Sequence, residues 1–174
     1  MLKDFNIKPF KKKKPPVDSG YTTRTEINEL KKIPLKKEFV KKYDDIESAF
    51  AKTAKEQGVE NYDKNIAAKL IKDSAPVILK LKKHHNRPRP YDLDKNLTAF
   101  KIKSMQTPSY PSGHSVQGVL IGSVLKMKYG KSAFMQTAKN ISYSRRVAHA
   151  HYKSDSKVGE DIGNSMYKHI KNKI

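Results

Sequence analysis

The stretch from Ser112 to Gly130, SGHSVQGVLIGSVLKMKYG, constrains the fold of this chain more than any other. Val116, Val119, Leu120, Val124 and Met127 recur at helical spacing, and Ile121 and Leu125 add a second stripe. Gly118 and Gly122 line a narrow flank along which a neighbour can approach closely. A helix that is apolar on nearly every side is buried by other elements. Gly130 closes it. Its first turn, at Ser112 and Gly113, is then buried or lines a cleft, and the unpaired N–H groups of that turn need partners there.

Helical signals also dominate the flanking sequence. A helix is expected over Glu38 to Gln57, with Phe39, Tyr43, Ile46, Ala49 and Phe50 on one face and a stop at Gly58. A second is expected from Asn61 to about His84, kinked at Pro76. The RPRP run forces an extended segment, and residues 91 to 110 read as a loop. Further helices are expected over Ser132 to about Ala150 and from about Ser154 to His169. No run alternates with period two, and no internal repeat is visible. The class is all-α, a single helical-bundle domain over 25–174. Residues 1–24, rich in lysine with Pro15, Pro16 and Gly20, read as a flexible basic arm. A chain of 174 residues suits one domain with a real core.

The charge narrows the partners without choosing among them. With 37 Lys+Arg against 17 Asp+Glu, the formal net charge is +20. Such a field attracts nucleic acid, nucleotides, phosphorylated metabolites and anionic lipid alike. The absence of cysteine excludes disulfides, thiolate catalysis and thiolate metal sites. The N-terminal MLKDFNIKPFKKKKPP has no apolar core like that of a secretory signal, and no run approaches the roughly 18 apolar residues of a membrane span. A soluble, cytoplasmic protein is expected.

Four local features are candidates for chemistry. In PSGH, Pro111 to His114, a helix N-terminus with its N–H donors and positive dipole end suits a phosphate. Ser112 and Gly113 would hold it, and His114 would protonate a leaving oxygen; an ordinary N-cap beside an incidental histidine fits the same residues. Arg145 falls in the middle of the inward stripe Phe134, Ala138, Ile141, Arg145, Ala148. A buried guanidinium needs either a carboxylate in the core or a bound oxyanion, which arginine grips bidentately. His151 and Asp155 stand four residues apart, a spacing that lets a carboxylate fix the tautomer of an imidazole. Such pairs are usually structural, and His151 can face the pocket of Arg145 only if the preceding helix ends near Ala150. The run KKHHNRPRPY, Lys82 to Tyr91, sets cations at a helix end and on a stiff turn.

Together these pieces resemble the signature of the type 2 phosphatidic acid phosphatase superfamily, which includes bacterial class A non-specific acid phosphatases and vanadium haloperoxidases. The pattern is K-x6-RP, then PSGH, then SR-x5-H-x3-D. KKHHNRPRP (Lys82 to Pro90) fits the first block, Pro111 to His114 the second, and SRRVAHAHYKSD with Ser144, Arg145, His151 and Asp155 the third. Lys80 with Arg87 fits the first block as well as Lys82 with Arg89 does. The likeness to the KxHxxRxRPF run of class A enzymes favours Lys82 and Arg89. Neither a signal segment like that of the class A enzymes nor the membrane helices of the lipid phosphatases is expected from this sequence.

The resemblance implies a metal-independent phosphatase acting on phosphomonoesters, with nucleotides or pyrophosphate-type compounds in view because of the charge. His151 would attack phosphorus and form a phosphohistidine, oriented by Asp155. His114 would protonate the leaving oxygen, and Lys82, Arg89, Arg145, Ser112 and Gly113 would hold the phosphoryl oxygens. No cofactor is implied, and vanadate would bind as a phosphate mimic. Activity is expected on the acidic side of neutral. Two other outcomes fit the residues: a vanadate-dependent peroxidase on the same site, and a basic nucleic-acid-binding protein without turnover.

Overall fold

A computed structural model describes residues 1–174, apart from the side chains of residues 103 and 104. The helices are α1 (Lys8–Lys12), α2 (Tyr21–Lys31), α3 (Lys37–Asp44), α4 (Ile46–Glu56), α5 (Asn65–His85), α6 (Pro90–Leu93), α7 (Gly113–Tyr129), α8 (Ala133–Val147) and α9 (Lys153–Ile170), with a 3-10 turn at Lys103–Gln106. The described residues contain no strand. Among them no helix is long and apolar enough to cross a membrane.

The apolar helix is α7, and it is wrapped as its composition requires. The Ser112 side chain accepts the N–H of Ser115 at its start, and Gly130, at φ 68°, ends it in the left-handed conformation that glycine tolerates best. Its main neighbours are α9 and α8, with α5 on a further side. The glycine flank meets α8: a Cβ on Gly122 would stand 3.0 Å from the Phe134 carbonyl oxygen. A second small-residue contact comes from α9, through Gly159 and Gly163. A Cβ on Gly163 would fall 2.5 Å from the Val116 carbonyl oxygen, and one on Gly159 2.7 Å from that of Ser112. Backbones in such contact leave no room for any side chain. The core around α7 includes Phe50, Leu70, Leu81, Leu120, Ile121, Leu125, Phe134, Ile141 and Ile162. A smaller cluster of Val40, Met105, Val147, Ala148 and Ala150 joins α3 and the 91–106 segment to the end of α8.

Three expectations need correction. The helix expected over 38–57 is two helices, broken at Asp45, whose backbone is extended (φ −84°, ψ 101°) and whose carboxylate accepts the Ser48 N–H at 3.0 Å. The capping preference of aspartate outweighs helical continuity there. The segment expected to be a loop contains α6 and the 3-10 turn. Residues 1–24, expected to be a flexible arm, lie against the body. Leu2 is buried in the core, the N-terminal ammonium pairs with Asp73 at 3.2 Å, and α1 packs on α5. Phe5 and Phe10 stack on each other and pack against the same core, and this apolar contact outweighs the lysine repulsion that suggested an arm. Elsewhere α5 runs continuously through Pro76, and α8 stops at Val147, with His149 in the left-handed region (φ 54°) turning the chain.

Candidate active site

Local chain geometry brings the candidate residues to one place. Lys82 lies in the last turn of α5 on its inner face, while Lys80 is exposed. Asn86 ends that helix in the left-handed conformation, and the proline-stiffened turn sends Arg89 inward. After α8 ends, His149 lies between the carbonyls of Ile33 and Thr98, at 2.8 and 2.6 Å, and the chain swings His151 back toward Arg89. Lys82, Arg89, Arg145, His151 and Asp155 are all 5% exposed or less, whereas the His114 side chain is 15% exposed. Of these side chains that of His114 is the most exposed.

The hydrogen bonds fix the protonation of His151. Its Nδ1 stands 3.1 Å from Asp155 Oδ2, and its Nε2 stands 3.2 Å from Arg89 Nη1. A guanidinium can only donate, so Nε2 carries the lone pair and the proton sits on Nδ1, facing the carboxylate. Burial pushes the His151 pKa well below its ordinary value of 6.5, and the cations Arg89 and Lys82 add to this against the hydrogen bond to Asp155. The result is a neutral imidazole with a directed Nε2 lone pair. Asp155 Oδ2 also accepts the Tyr152 N–H at 3.1 Å and a short bond from the Ser109 hydroxyl.

The cations around it are held by carbonyls. Arg89 Nε donates to the Thr107 carbonyl at 3.0 Å and Nη1 to that of Ala150 at 2.9 Å. Lys82 Nζ donates to the Pro108 carbonyl at 2.5 Å and to that of Ser109 at 3.3 Å. Burial, reinforced by Arg89, lowers its pKa to about 7, so an arriving anion strengthens its charge. A Cβ on Gly113 would stand 4.0 Å from Lys82 Cε, so the ammonium lies beside the first turn of α7.

Of the two partners considered for Arg145, the structure supplies a carboxylate. Its Nη1 donates to Asp44 Oδ1 at 2.9 Å and its Nε to Ser144 Oγ at 3.1 Å, while Nη2 is buried with no hydrogen-bond partner. His114 Nε2 stands 2.9 Å from the Asp44 carbonyl oxygen and 3.5 Å from Oδ1. A carbonyl only accepts, so Nε2 carries a proton and Nδ1 is the nitrogen left to exchange one. Burial lowers the His114 pKa, partly offset by the Asp44 carboxylate.

One expected role is corrected. The Ser112 N–H, expected as an anion donor, is bonded at 3.1 Å to the Asp155 carbonyl oxygen and ties the start of α7 to α9. The Ser112 hydroxyl is part of a buried chain: Ser115 Oγ donates to it at 2.9 Å and lies 2.8 Å from Ser142 Oγ, which donates to Glu160 at 2.7 Å. Gly113, at the first position of α7, keeps the N–H that a helix start cannot satisfy internally.

Three contributors were missed as such in the sequence. Asp44 read as the interior of a helix. Ser109 sat in an expected loop. Arg87 fits the first signature block as an anion ligand, and instead its Nη1 donates to Asp155 Oδ1 at 2.7 Å. Only the adjacent acids Asp44 and Asp45, a capping signal inside an apolar pattern, were a visible cue. No protein-family model matches the sequence, and no curated protein matches it.

Proposed function

We propose that this protein is a phosphatase that hydrolyses phosphomonoesters through a phosphohistidine, in the manner of the type 2 phosphatidic acid phosphatase superfamily whose signature it resembles. The observation that carries the reading is the tautomer of His151: Nδ1–H on Asp155, and a lone pair on Nε2 among Arg89 and Lys82. That is a nucleophile aimed at a place built for negative charge.

In this reading the Arg89 N–H that rests on Nε2 of His151 turns to the phosphoryl oxygens, Nε2 attacks phosphorus, and the P–O bond to the leaving group breaks. The departing oxygen takes the Nδ1 proton of His114, whose other nitrogen is occupied at the Asp44 carbonyl. General-acid help of this kind contributes typically ~10²–10⁴-fold. The imidazole, now bonded to phosphorus and positively charged, is stabilised by Asp155. Water then attacks, gives its proton back to His114, and the P–N bond breaks to leave neutral His151 and phosphate. Lys82, Arg89, the Nη2 of Arg145 and the Gly113 N–H hold the non-bridging oxygens. Vanadate, with the same charge and a trigonal bipyramidal preference, is expected to inhibit.

The test is release of p-nitrophenol from p-nitrophenyl phosphate at about pH 5 to 7, with the higher rate expected at the acidic end where a histidine acid is protonated, with EDTA present and His151→Ala alongside. Turnover that resists EDTA and is lost in the variant supports the reading. Turnover that survives His151→Ala removes the assigned nucleophile. Binding of DNA or RNA that is steeply salt-dependent, unaffected by His151→Ala and unaccompanied by turnover would point instead to the basic surface as the functional one.

A further inference from the structure

Behind His151 lies a buried ionic chain that extends past Asp155. Asp155 Oδ1 accepts from Arg87 Nη1 at 2.7 Å, and Arg87 Nη2 faces Glu26 Oε2 at 3.4 Å and Thr23 Oγ1 at 3.3 Å. The side chains of Arg87 and Asp155 have no solvent exposure, and that of Glu26 is 9% exposed. The guanidinium lies over the Tyr152 ring, 3.7 Å from its centre. Glu26 also grips the first turn of α9: Oε1 accepts the Ser154 N–H at 2.6 Å and Oε2 the Ser154 hydroxyl at 2.7 Å. Arg87 Nη1 donates to the same Ser154 Oγ at 2.8 Å. Glu26, on α2, thus holds both Arg87 and the residue next to Asp155.

The charges explain why the chain needs its far end. Asp155 and Arg87 alone sum to zero. An imidazole that becomes cationic during reaction would then face a neutral pair in a low-dielectric interior. Glu26 restores one negative charge, so that the three groups sum to minus one behind His151. It also holds the guanidinium on Oδ1, which leaves Oδ2 for the Nδ1–H of His151.

We propose that Glu26, acting through Arg87 and Ser154, is a positioning residue for the His151–Asp155 pair and supplies the negative charge that lets Asp155 support a cationic His151. Its consequence for turnover rests on the phosphatase reading; its effect on the His151 hydrogen bond does not.

The variant to make is Glu26→Gln, which keeps the volume and an acceptor for the Ser154 N–H. The primary readout is the His151 Nδ1–H resonance in ¹⁵N-histidine NMR, with kcat and KM measured on the same samples. The expected result is an upfield shift and faster solvent exchange of that proton. It is accompanied by a fall in kcat of about tenfold, the range for partners of a site's own ligands, with KM little changed. Glu26→Asp, which keeps the charge but withdraws it by one methylene, should fall between the two, and it carries the same test if Glu26→Gln does not fold. A folded variant with an unchanged His151 resonance overturns the proposal, because a merely structural ion pair would alter stability and nothing at His151. A shifted resonance with unchanged kcat overturns the catalytic half. A shifted resonance in a protein with no phosphatase activity even as wild type upholds the positioning role and sinks the phosphatase reading.

Discussion

Asp44 links the two sides of the site. Its backbone carbonyl holds His114, and its carboxylate reaches both Arg145 and His114. Those hydrogen bonds, His114 first, lower its own pKa from 3.8 to about 2 against the opposing effect of burial. A depressed carboxyl stabilises the fold at pH above its unfolded value, and that stabilisation is lost as pH falls through the folded value. For Asp44 the window runs from about 4 down to about 2. The same carboxylate favours the imidazolium of His114, whose pKa burial holds below 6.5. In the proposed reaction His114 is the general acid and must be protonated, so kcat/KM should fall as pH rises through that depressed value. Asp44→Asn removes the favouring charge. The basic limb of the pH profile should move to lower pH, and kcat/KM near neutrality should drop about ten- to a hundredfold. A limb that does not move would separate Asp44 from His114.

At the scale of elements, the site depends on how closely α9 approaches α7. Gly159 and Gly163 let the α9 backbone lie against the carbonyls of Ser112 and Val116, and the Ser112 N–H bonds to the Asp155 carbonyl across the same seam. His151 and Asp155 on one side, and Gly113 and His114 on the other, are thereby held at a fixed separation. Gly163→Ala would set a Cβ 2.5 Å from a backbone oxygen that cannot rotate away, and should cost about 1–3 kcal/mol by urea unfolding. Gly118→Ala meets its nearest atoms at 3.3 Å and should cost less. Equal losses would mean that the α7–α9 seam is no tighter than the α7–α8 seam.

At the scale of the whole molecule, the basic N-terminal segment is structural as well as charged. His84 and His85 lie 3.2 and 3.0 Å from the carbonyls of Lys11 and Phe10, and the Tyr110 hydroxyl donates to the Lys13 carbonyl at 2.8 Å. The lysine run is thus fastened to the end of α5 and to the residue that leads into PSGH. Deleting residues 1–14 would expose the pocket of Leu2 and should lower the thermal midpoint, measured by circular dichroism. It should also reduce turnover, through Tyr110. A truncated protein with the full midpoint would restore the view of this segment as a dispensable arm.

The amino-acid sequence by itself determined what depends on neighbours a few residues apart. The helical class, the extent of α7 between Ser112 and Gly130, the inward stripe that carries Arg145 and the His151–Asp155 spacing are all written in periodicity and caps. Only the tertiary structure decided the rest. Lys80 and Lys82 flank the apolar stripe of α5 alike, and what packs against that helix turns Lys82 to the site and Lys80 to solvent. The break at Asp45, which delivers Asp44, competes with a continuous helical pattern. The partners that tune the site come from far along the chain, Asp44 meeting Arg145 across 101 residues and Glu26 meeting Ser154 across 128. Pairings at that distance leave no periodic mark. They exist because burial removes water from Arg145, Arg87 and Glu26, and each must then find its counterpart wherever the fold brings one.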